Sequence, residues 1–205
     1  MIGKMAIAGA LGISLGMALG LQTAQAGVSN AGFETGTSGW VSYGSSGATD
    51  SYFGFTPKYG SSFGYVTAGA GLNVYSTLAQ TFTLLAGESI AGYVGFKADD
   101  YLPYDDKAIL TISDGETITS LWSATVASVG DFGSTGWKRF SFTAAQGGVF
   151  TLSLGVKNVQ DNVQNSVAFL DAPQSVPGPI AGAGIPALLG LMGLRLWRRK
   201  QAVAA

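Results

Sequence analysis

Residues 76–97 read STLAQTFTLLAGESIAGYVGFK, and the pattern of this stretch decides the fold. From Ser76 to Leu84, larger side chains alternate with threonine and alanine, so one face carries Leu78, Gln80, Phe82 and Leu84. Alternation with a period of two is typical of a half-buried β-strand. Residues 86–88, Ala-Gly-Glu, then form a turn, and a second strand is predicted from Ile90 to Lys97.

Short runs of the same kind recur along the chain between turn residues. They are Ser62–Thr67, Lys107–Ser113, Ile118–Ala124, Trp137–Thr143, Val149–Val156 and Val167–Leu170. No helical period persists in residues 27–176, and glycine, at 31 of 205 residues, supplies many turns. We therefore predict an all-β fold, a two-sheet antiparallel sandwich with about eight to ten strands.

Two residue types that serve many enzymes are missing from the sequence. The chain has no cysteine and no histidine. This excludes thiolate zinc sites, cysteine nucleophiles and serine–histidine triads. A glycoside hydrolase that works with two carboxylates is an enzyme class that these absences do not exclude.

The charge is distributed unevenly. Residues 27–176 contain all 12 acidic residues but 6 of the 11 basic ones, a net charge of −6. Because an acidic domain repels a phosphate backbone, we expect no nucleic-acid partner.

The N-terminus has the features of a secretory signal peptide. Lys4 precedes an apolar run from Met5 to Leu21, and Ala24 and Ala26 form a small-x-small cleavage site. We predict a signal helix in residues 1–26 and cleavage after Ala26. The alternative is that this segment remains as a membrane anchor.

The C-terminus ends in a short apolar segment and a basic cluster. Val176-Pro177-Gly178-Pro179 precedes an apolar run from Ile180 to Leu194, and the chain then carries Arg195, Arg198, Arg199 and Lys200. A helix over residues 180–197 is roughly 27 Å long, enough to cross a thin bilayer. The basic cluster is predicted to stay in the cytoplasm and to stop transfer, which leaves the β-domain on the other side of the membrane.

The order of proline motif, short helix and basic end resembles a PEP-CTERM sorting signal. The resemblance implies an exported protein of a Gram-negative bacterium, processed by the membrane protease exosortase near Pro177–Pro179. Here the motif is Val-Pro-Gly-Pro and not Pro-Glu-Pro, so this is a variant form. A plain tail anchor in the inner membrane is the alternative. The predicted division is a signal peptide (1–26), a β-domain (27–175) and a sorting signal (176–205).

Three segments of the β-domain resemble galactose-binding-like jelly rolls, the fold of many carbohydrate-binding modules. They are VSNAGFETGTSGW (28–40), LAQTFTLLAGESI (78–90) and VAFLDAPQ (167–174). The resemblance implies that the first and last segments lie side by side and hold a structural Ca²⁺ through Glu34 and Asp171. Calcium takes six to eight oxygen ligands, including carbonyl oxygens. Alternatively, Glu34 caps a turn and Asp171 hydrogen-bonds the neighbouring backbone.

Two other groups of residues are candidates for function. Asp99, Asp100, Asp105 and Asp106 share one loop, which is interpreted as a solvated acidic loop, a second calcium site or an acid–base pair. Aromatic residues cluster in Tyr52–Tyr65, and Tyr101 and Tyr104 add two further tyrosine rings. Part of this group is a candidate surface on which sugars stack. Phe63, Tyr65 and the tryptophans at 40, 122 and 137 are instead expected in the core.

These observations favour a non-enzymatic surface or extracellular-matrix protein that associates with exopolysaccharide in a biofilm. A dedicated carbohydrate-binding module is the first alternative, and a carboxylate-based glycoside hydrolase or lyase is the second.

Overall fold

Strand β5 lies within the first of two sheets, as its alternating pattern predicts. The computed structural model describes residues 25–173, and in it β5 pairs with β10 over its whole length. The strand order of this first sheet is β1-β5-β10-β7-β8, and β2 pairs with β5 beside β1. The strands are β1 (Gln25–Ala26), β2 (Val41–Tyr43), β5 (Ser76–Leu84), β7 (Lys107–Ser113), β8 (Ile118–Thr125) and β10 (Gly148–Lys157).

The second sheet has five strands in the order β3-β4-β11-β6-β9. They are β3 (Ser45–Thr49), β4 (Phe63–Thr67), β6 (Ser89–Lys97), β9 (Lys138–Thr143) and β11 (Val167–Asp171). All pairs in both sheets are antiparallel except β1 with β5. The prediction of an all-β, two-sheet sandwich is therefore confirmed, and each of the eight predicted strands agrees with an observed one to within one residue at either end.

The core lies between the sheets and is formed by the inward faces that the alternation predicts. Leu78, Phe82 and Leu84 of β5 are buried, and so are alternate residues of β7 and β10. From the second sheet, Val66, Val94, Phe96 and Leu170 close the core on the other side. Trp40 also belongs to this core, whereas Trp122 is half-buried at its margin.

A second apolar cluster covers the outer face of the second sheet. Phe55, Phe63, Val167 and Phe169 are buried there, with Tyr52, Tyr65 and Trp137 half-buried around them. Residues 50–62 between β3 and β4 supply Phe55, and Gly95 of β6 leaves the space for its ring: a Cβ there would clash with Phe55. Phe63 is thus buried as expected, but in this outer cluster and not between the sheets.

Because successive strands alternate in direction, the loops gather at the two ends of the sandwich. One end carries residues 68–75, 98–106, 126–137 and 158–166, which follow β4, β6, β8 and β10. Within 25–173, the one α-helix is α1 (Val126–Val129), and this part of the chain holds no helix long and apolar enough to cross a membrane. The predicted signal and transmembrane helices lie outside the described residues.

Candidate functional site

Glu34 and Asp171 lie close together beside a loop that binds both side chains. Asp171, the last residue of β11, is buried, and its Oδ2 accepts hydrogen bonds from the backbone N–H of Lys58 (2.5 Å) and Tyr59 (2.9 Å). The Glu34 carboxylate accepts from the Ser61 N–H (2.8 Å), the Ser61 hydroxyl (2.6 Å) and the Ser62 N–H (3.1 Å). The bonds from Ser61 lower the pKa of Glu34, whereas burial raises the pKa of Asp171.

The pair also leaves one oxygen without a donor. Asp171 Oδ1 is buried and has no hydrogen-bond partner. A methyl group built on Gly32 would lie 3.5 Å from Ala172 O, 3.7 Å from Glu34 Oε1 and 3.9 Å from Asp171 Oδ1, so three oxygens surround this bare backbone. Two carboxylates and a carbonyl are a donor set that suits Ca²⁺. The other carboxylate oxygens of the pair, Glu34 Oε1 included, accept hydrogen bonds from residues 58–62, as a turn cap and a backbone acceptor would.

The acidic loop is not the fully solvated segment that one of its interpretations assumed. Asp100 and Asp106 are buried, and burial raises the pKa of both carboxyl groups. Asp106 accepts from the Val159 N–H (3.0 Å) and the Ser166 hydroxyl (2.7 Å), and Asp105 accepts from the Ala127 N–H (2.7 Å). These carboxylates therefore hold neighbouring loops together.

The aromatic residues of the sequence separate into buried and exposed groups. Phe55 and Phe63 belong to the outer cluster, but Phe53 remains 46% exposed at the tip of the turn Tyr52–Phe55. Tyr101 lies 5.4 Å from Tyr104 and 5.8 Å from Phe132, measured between ring centroids. Phe132 is 48% exposed. We call Phe53, Tyr101, Tyr104 and Phe132 the aromatic platform.

Lys97 connects the two parts of this platform. Its ammonium group lies 5.8 Å from the ring centroid of Phe53 and donates a hydrogen bond to the Phe132 carbonyl. The sequence analysis did not single out Phe132. The sequence feature that could have indicated Phe132 is the segment Gly-Asp-Phe-Gly (130–133), which places an aromatic residue in a glycine-rich loop.

Both phenylalanines of the platform have left-handed backbone conformations. The φ angle is 48° at Phe53 and 51° at Phe132. Positive φ is unfavourable for a bulky L-residue, which crowds its own carbonyl oxygen. Phe53 is followed by Gly54 with φ 81°, and the pair forms a tight turn closed by hydrogen bonds between Tyr52 and Phe55.

Backbone hydrogen bonds fix the loop that carries Tyr101 to the loop that carries Phe132. The Phe132 N–H donates to Asp100 O (2.8 Å), and the Ala98 N–H donates to Gly133 O (2.9 Å). The Leu102 N–H donates to Asp131 Oδ1 (2.9 Å). The exposed rings thus stand on a connected backbone framework.

Most residues of the predicted targeting segments lie outside residues 25–173. This applies to Ala24, the sorting motif Val176–Pro179, and the basic residues Arg195, Arg198, Arg199 and Lys200. Ala26, next to the predicted cleavage point, belongs to β1.

No protein-family model and no curated protein matches the chain. Among solved structures, TmCBM61 in complex with beta-1,4-galactotriose is 18% identical, with 72% of this chain and 96% of that one covered at a TM-score of 0.47. A Family 16 Carbohydrate Binding Module-2 is 14% identical over 70% of this chain and 95% of that one, at a TM-score of 0.44. The K1 cleaved adhesin domain of Lys-gingipain from Porphyromonas gingivalis is 14% identical over 68% and 92%, at 0.41. At these identities and TM-scores the similarity does not identify a function, which depends on the residues of this chain.

Proposed function

We propose that this chain is a carbohydrate-binding protein that holds a neutral glycan on the aromatic platform. The observation that carries the proposal is the exposure of two phenylalanine rings, Phe53 and Phe132, from backbone positions that disfavour a bulky residue. Phe33 also has a positive φ, 57°, but its ring is fully buried in the core, so exposure is what distinguishes the two platform rings. Strain of this kind is concentrated at binding sites, where the surrounding structure maintains it.

The platform has the chemistry that sugar rings recognise. The C–H face of a pyranose packs on an aromatic face, and polar groups at the rim select its hydroxyl orientation. Tyr101 and Tyr104 supply hydroxyl groups, and Asp131 supplies a carboxylate beside Leu102. Because the loops are hydrogen-bonded to each other, little conformational entropy is lost when a glycan binds.

The surrounding charge favours a neutral glycan over a polyuronate. Asp99, Asp131 and Asp161 lie in the loops next to the rings, and residues 27–176 carry a net charge of −6. Carboxylates on the ligand would be repelled by this field, whereas hydroxyl groups would not.

We propose that the protein does not catalyse a reaction on the glycan. Asp100, Asp105 and Asp106 each accept a hydrogen bond from a backbone N–H, and Asp131 and Asp161 do the same. These hydrogen bonds explain why the carboxylates are present, so a catalytic role is not needed to account for them. We therefore favour glycan binding over the hydrolase or lyase alternative. Glycan binding would also explain how the protein acts at the cell surface or in an extracellular matrix.

The cellular setting belongs to the same proposal. The protein is exported through the inner membrane of a Gram-negative bacterium, processed by exosortase near Pro177–Pro179, and retained at the surface or in an exopolysaccharide matrix. A structural Ca²⁺ held by Glu34, Asp171 and nearby carbonyl oxygens would fix the turn 58–62 to the end of β11.

Affinity electrophoresis of the full-length protein in gels that contain single polysaccharides tests the binding proposal. We expect retardation by a neutral glucan, galactan or xylan, and none by alginate or polygalacturonate. Tyr101→Ala should reduce the retardation, whereas Tyr43→Ala, which removes an exposed aromatic ring outside the platform, should not. Equal retardation of the wild type and Tyr101→Ala would contradict the assignment of the site.

A further inference from the structure

Two buried side-chain oxygens at the loop end of the sandwich lack a hydrogen-bond partner. Asp100 is 2% exposed and Asn158 is 0% exposed, yet Asp100 Oδ2 and Asn158 Oδ1 accept no hydrogen bond. Buried polar atoms are nearly always satisfied, so each such acceptor calls for an explanation. The two atoms belong to loops 98–106 and 158–166, which we call the acidic loop pair.

Hydrogen bonds connect the two loops of this pair. Lys107 pairs with Lys157 in the first sheet, so Asp106 and Asn158 lead side by side out of their strands. Asp106 bonds to Val159 and Ser166 across the gap, and the Ser166 hydroxyl also accepts from the Asp99 N–H (3.2 Å).

The Asn158 side chain is oriented by its amide nitrogen. Nδ2 donates to Asn165 Oδ1 (2.7 Å) and lies 3.1 Å from the side-chain amide of Asn162, both within loop 158–166. The amide oxygen therefore points away from Asn165 and remains free to accept.

Negative charge accumulates in the acidic loop pair. Burial is the main reason that the pKa of Asp100 is raised, and the carboxylates of Asp161 and Asp99 raise it further. The acidic loop pair contains no lysine or arginine. Three lysines flank the loops. Lys97 bonds to the Ala98 and Phe132 carbonyls, Lys157 lies over the Tyr75 ring, and Lys107 is the first residue of β7.

We propose that the acidic loop pair binds a divalent cation with the preferences of Ca²⁺ through Asp100 Oδ2, Asn158 Oδ1 and the Asp161 carboxylate. Within residues 25–173, no three side chains of His, Cys, Asp or Glu converge as a metal-ligand group. A cation at this site must therefore coordinate an amide oxygen, together with two carboxylates and backbone or water oxygens. Calcium does this readily, in contrast to zinc, which prefers imidazole and thiolate ligands.

Occupation of this site has a consequence for the platform. Asp100 Oδ1 accepts from the Tyr101 N–H (2.8 Å), and Asp100 O accepts from the Phe132 N–H. A cation that fixes Asp100 would therefore also fix the backbone beneath both rings. This consequence depends on the proposed glycan binding, but the cation site itself does not.

A proton is the rival explanation for the two unpartnered oxygens. If Asp100 were neutral, its Oδ2 would carry a proton and act as a donor, and no cation would be needed there. Asp100→Asn distinguishes the two: the amide can replace a neutral acid as donor, but it removes a charged ligand of the cation.

The decisive experiment is calorimetric titration of the full-length, chelator-treated protein with CaCl₂. We expect Asp100→Asn to bind one Ca²⁺ fewer than the wild type, and Asp161→Asn to bind at the same position at least tenfold more weakly. Asp50→Asn, an exposed carboxylate outside the acidic loop pair, should bind as the wild type does. Asp171→Asn separates the site at Glu34: it should remove a different Ca²⁺, so the double variant with Asp100→Asn binds none.

The proposal is wrong if Asp100→Asn and Asp161→Asn both bind as many ions, with the same affinity, as the wild type. It is also wrong if Asp171→Asn alone abolishes all binding. Should Asp100→Asn fail to fold, as judged by circular dichroism, the less buried Asp161→Asn decides the question. Loss of Ca²⁺ binding with unchanged glycan retardation would leave the cation site standing and refute only its link to the platform.

Discussion

Replacement of Phe132 by glycine and by alanine should separate the strain at this residue from the function of its ring. Both variants remove the ring, but only glycine removes the Cβ that is unfavourable at φ 51°. The backbone conformation should persist, because the Phe132 N–H bonds to Asp100 O and its carbonyl accepts from Lys97.

The stability difference follows from three contributions. Loss of a half-buried ring costs about 1 kcal/mol in either variant. In the glycine variant alone, relief of the left-handed strain raises the free energy of unfolding by about 1–2 kcal/mol. The greater freedom of glycine in the unfolded chain lowers it by about 0.5–1 kcal/mol. We therefore expect Phe132→Gly to be more stable than Phe132→Ala by up to about 1.5 kcal/mol, and within about 1 kcal/mol of the wild type.

Glycan affinity should respond differently. About half of the ring is in solvent, so a sugar can cover roughly 50 Å² of apolar surface, which is about 1.3 kcal/mol at 25 cal/mol per Å². Both variants should therefore bind a neutral polysaccharide about tenfold more weakly than the wild type, and equally so.

Urea denaturation and affinity electrophoresis measure the two quantities. Tyr43 is the matched control, since it is exposed but lies in strand β2, where its φ is not positive. There the order should reverse, with Tyr43→Gly less stable than Tyr43→Ala, and glycan binding should be unchanged. If Phe132→Gly is the less stable of its pair, the strain argument fails. If both Phe132 variants bind glycan as the wild type does, the platform is misassigned.

Three further results are expected. Phe169→Ala should lower the free energy of unfolding by about 3–5 kcal/mol in urea denaturation, because the ring is fully buried in the outer cluster; a loss below 1 kcal/mol would contradict that packing. Gly95→Ala should cost about 1–3 kcal/mol by displacing Phe55 and should increase proteolysis within residues 50–62, whereas an unchanged digestion pattern would show that the loop tolerates the methyl group. Addition of Ca²⁺ should raise the melting temperature of the wild type more than that of Asp171→Asn, and equal shifts would argue against a site at Asp171.

Much of the fold was predictable from local patterns. Strand β7 has the bounds that alternation predicts, and β5 does as well, because burial of one sheet face imposes a period of two on the sequence. The burial of Asp100 was not predictable, since a run of carboxylates in a loop normally indicates solvent exposure. Neither was the outer cluster, because Phe55 and Phe63 have no pattern that says which sheet face they cover.

The sequence by itself determined the all-β class, the strand positions, the absence of histidine and cysteine chemistry and the acidic character of the domain. These properties depend on composition and on contacts between near neighbours in the chain. The tertiary structure decided which residues are available to the two proposed sites: Phe53, Tyr101 and Phe132 come from three loops, and Asp100 and Asn158 from two. Strand order and loop pairing bring them together, and no local pattern encodes such long-range placement, because it results from how the sheets pack as a whole.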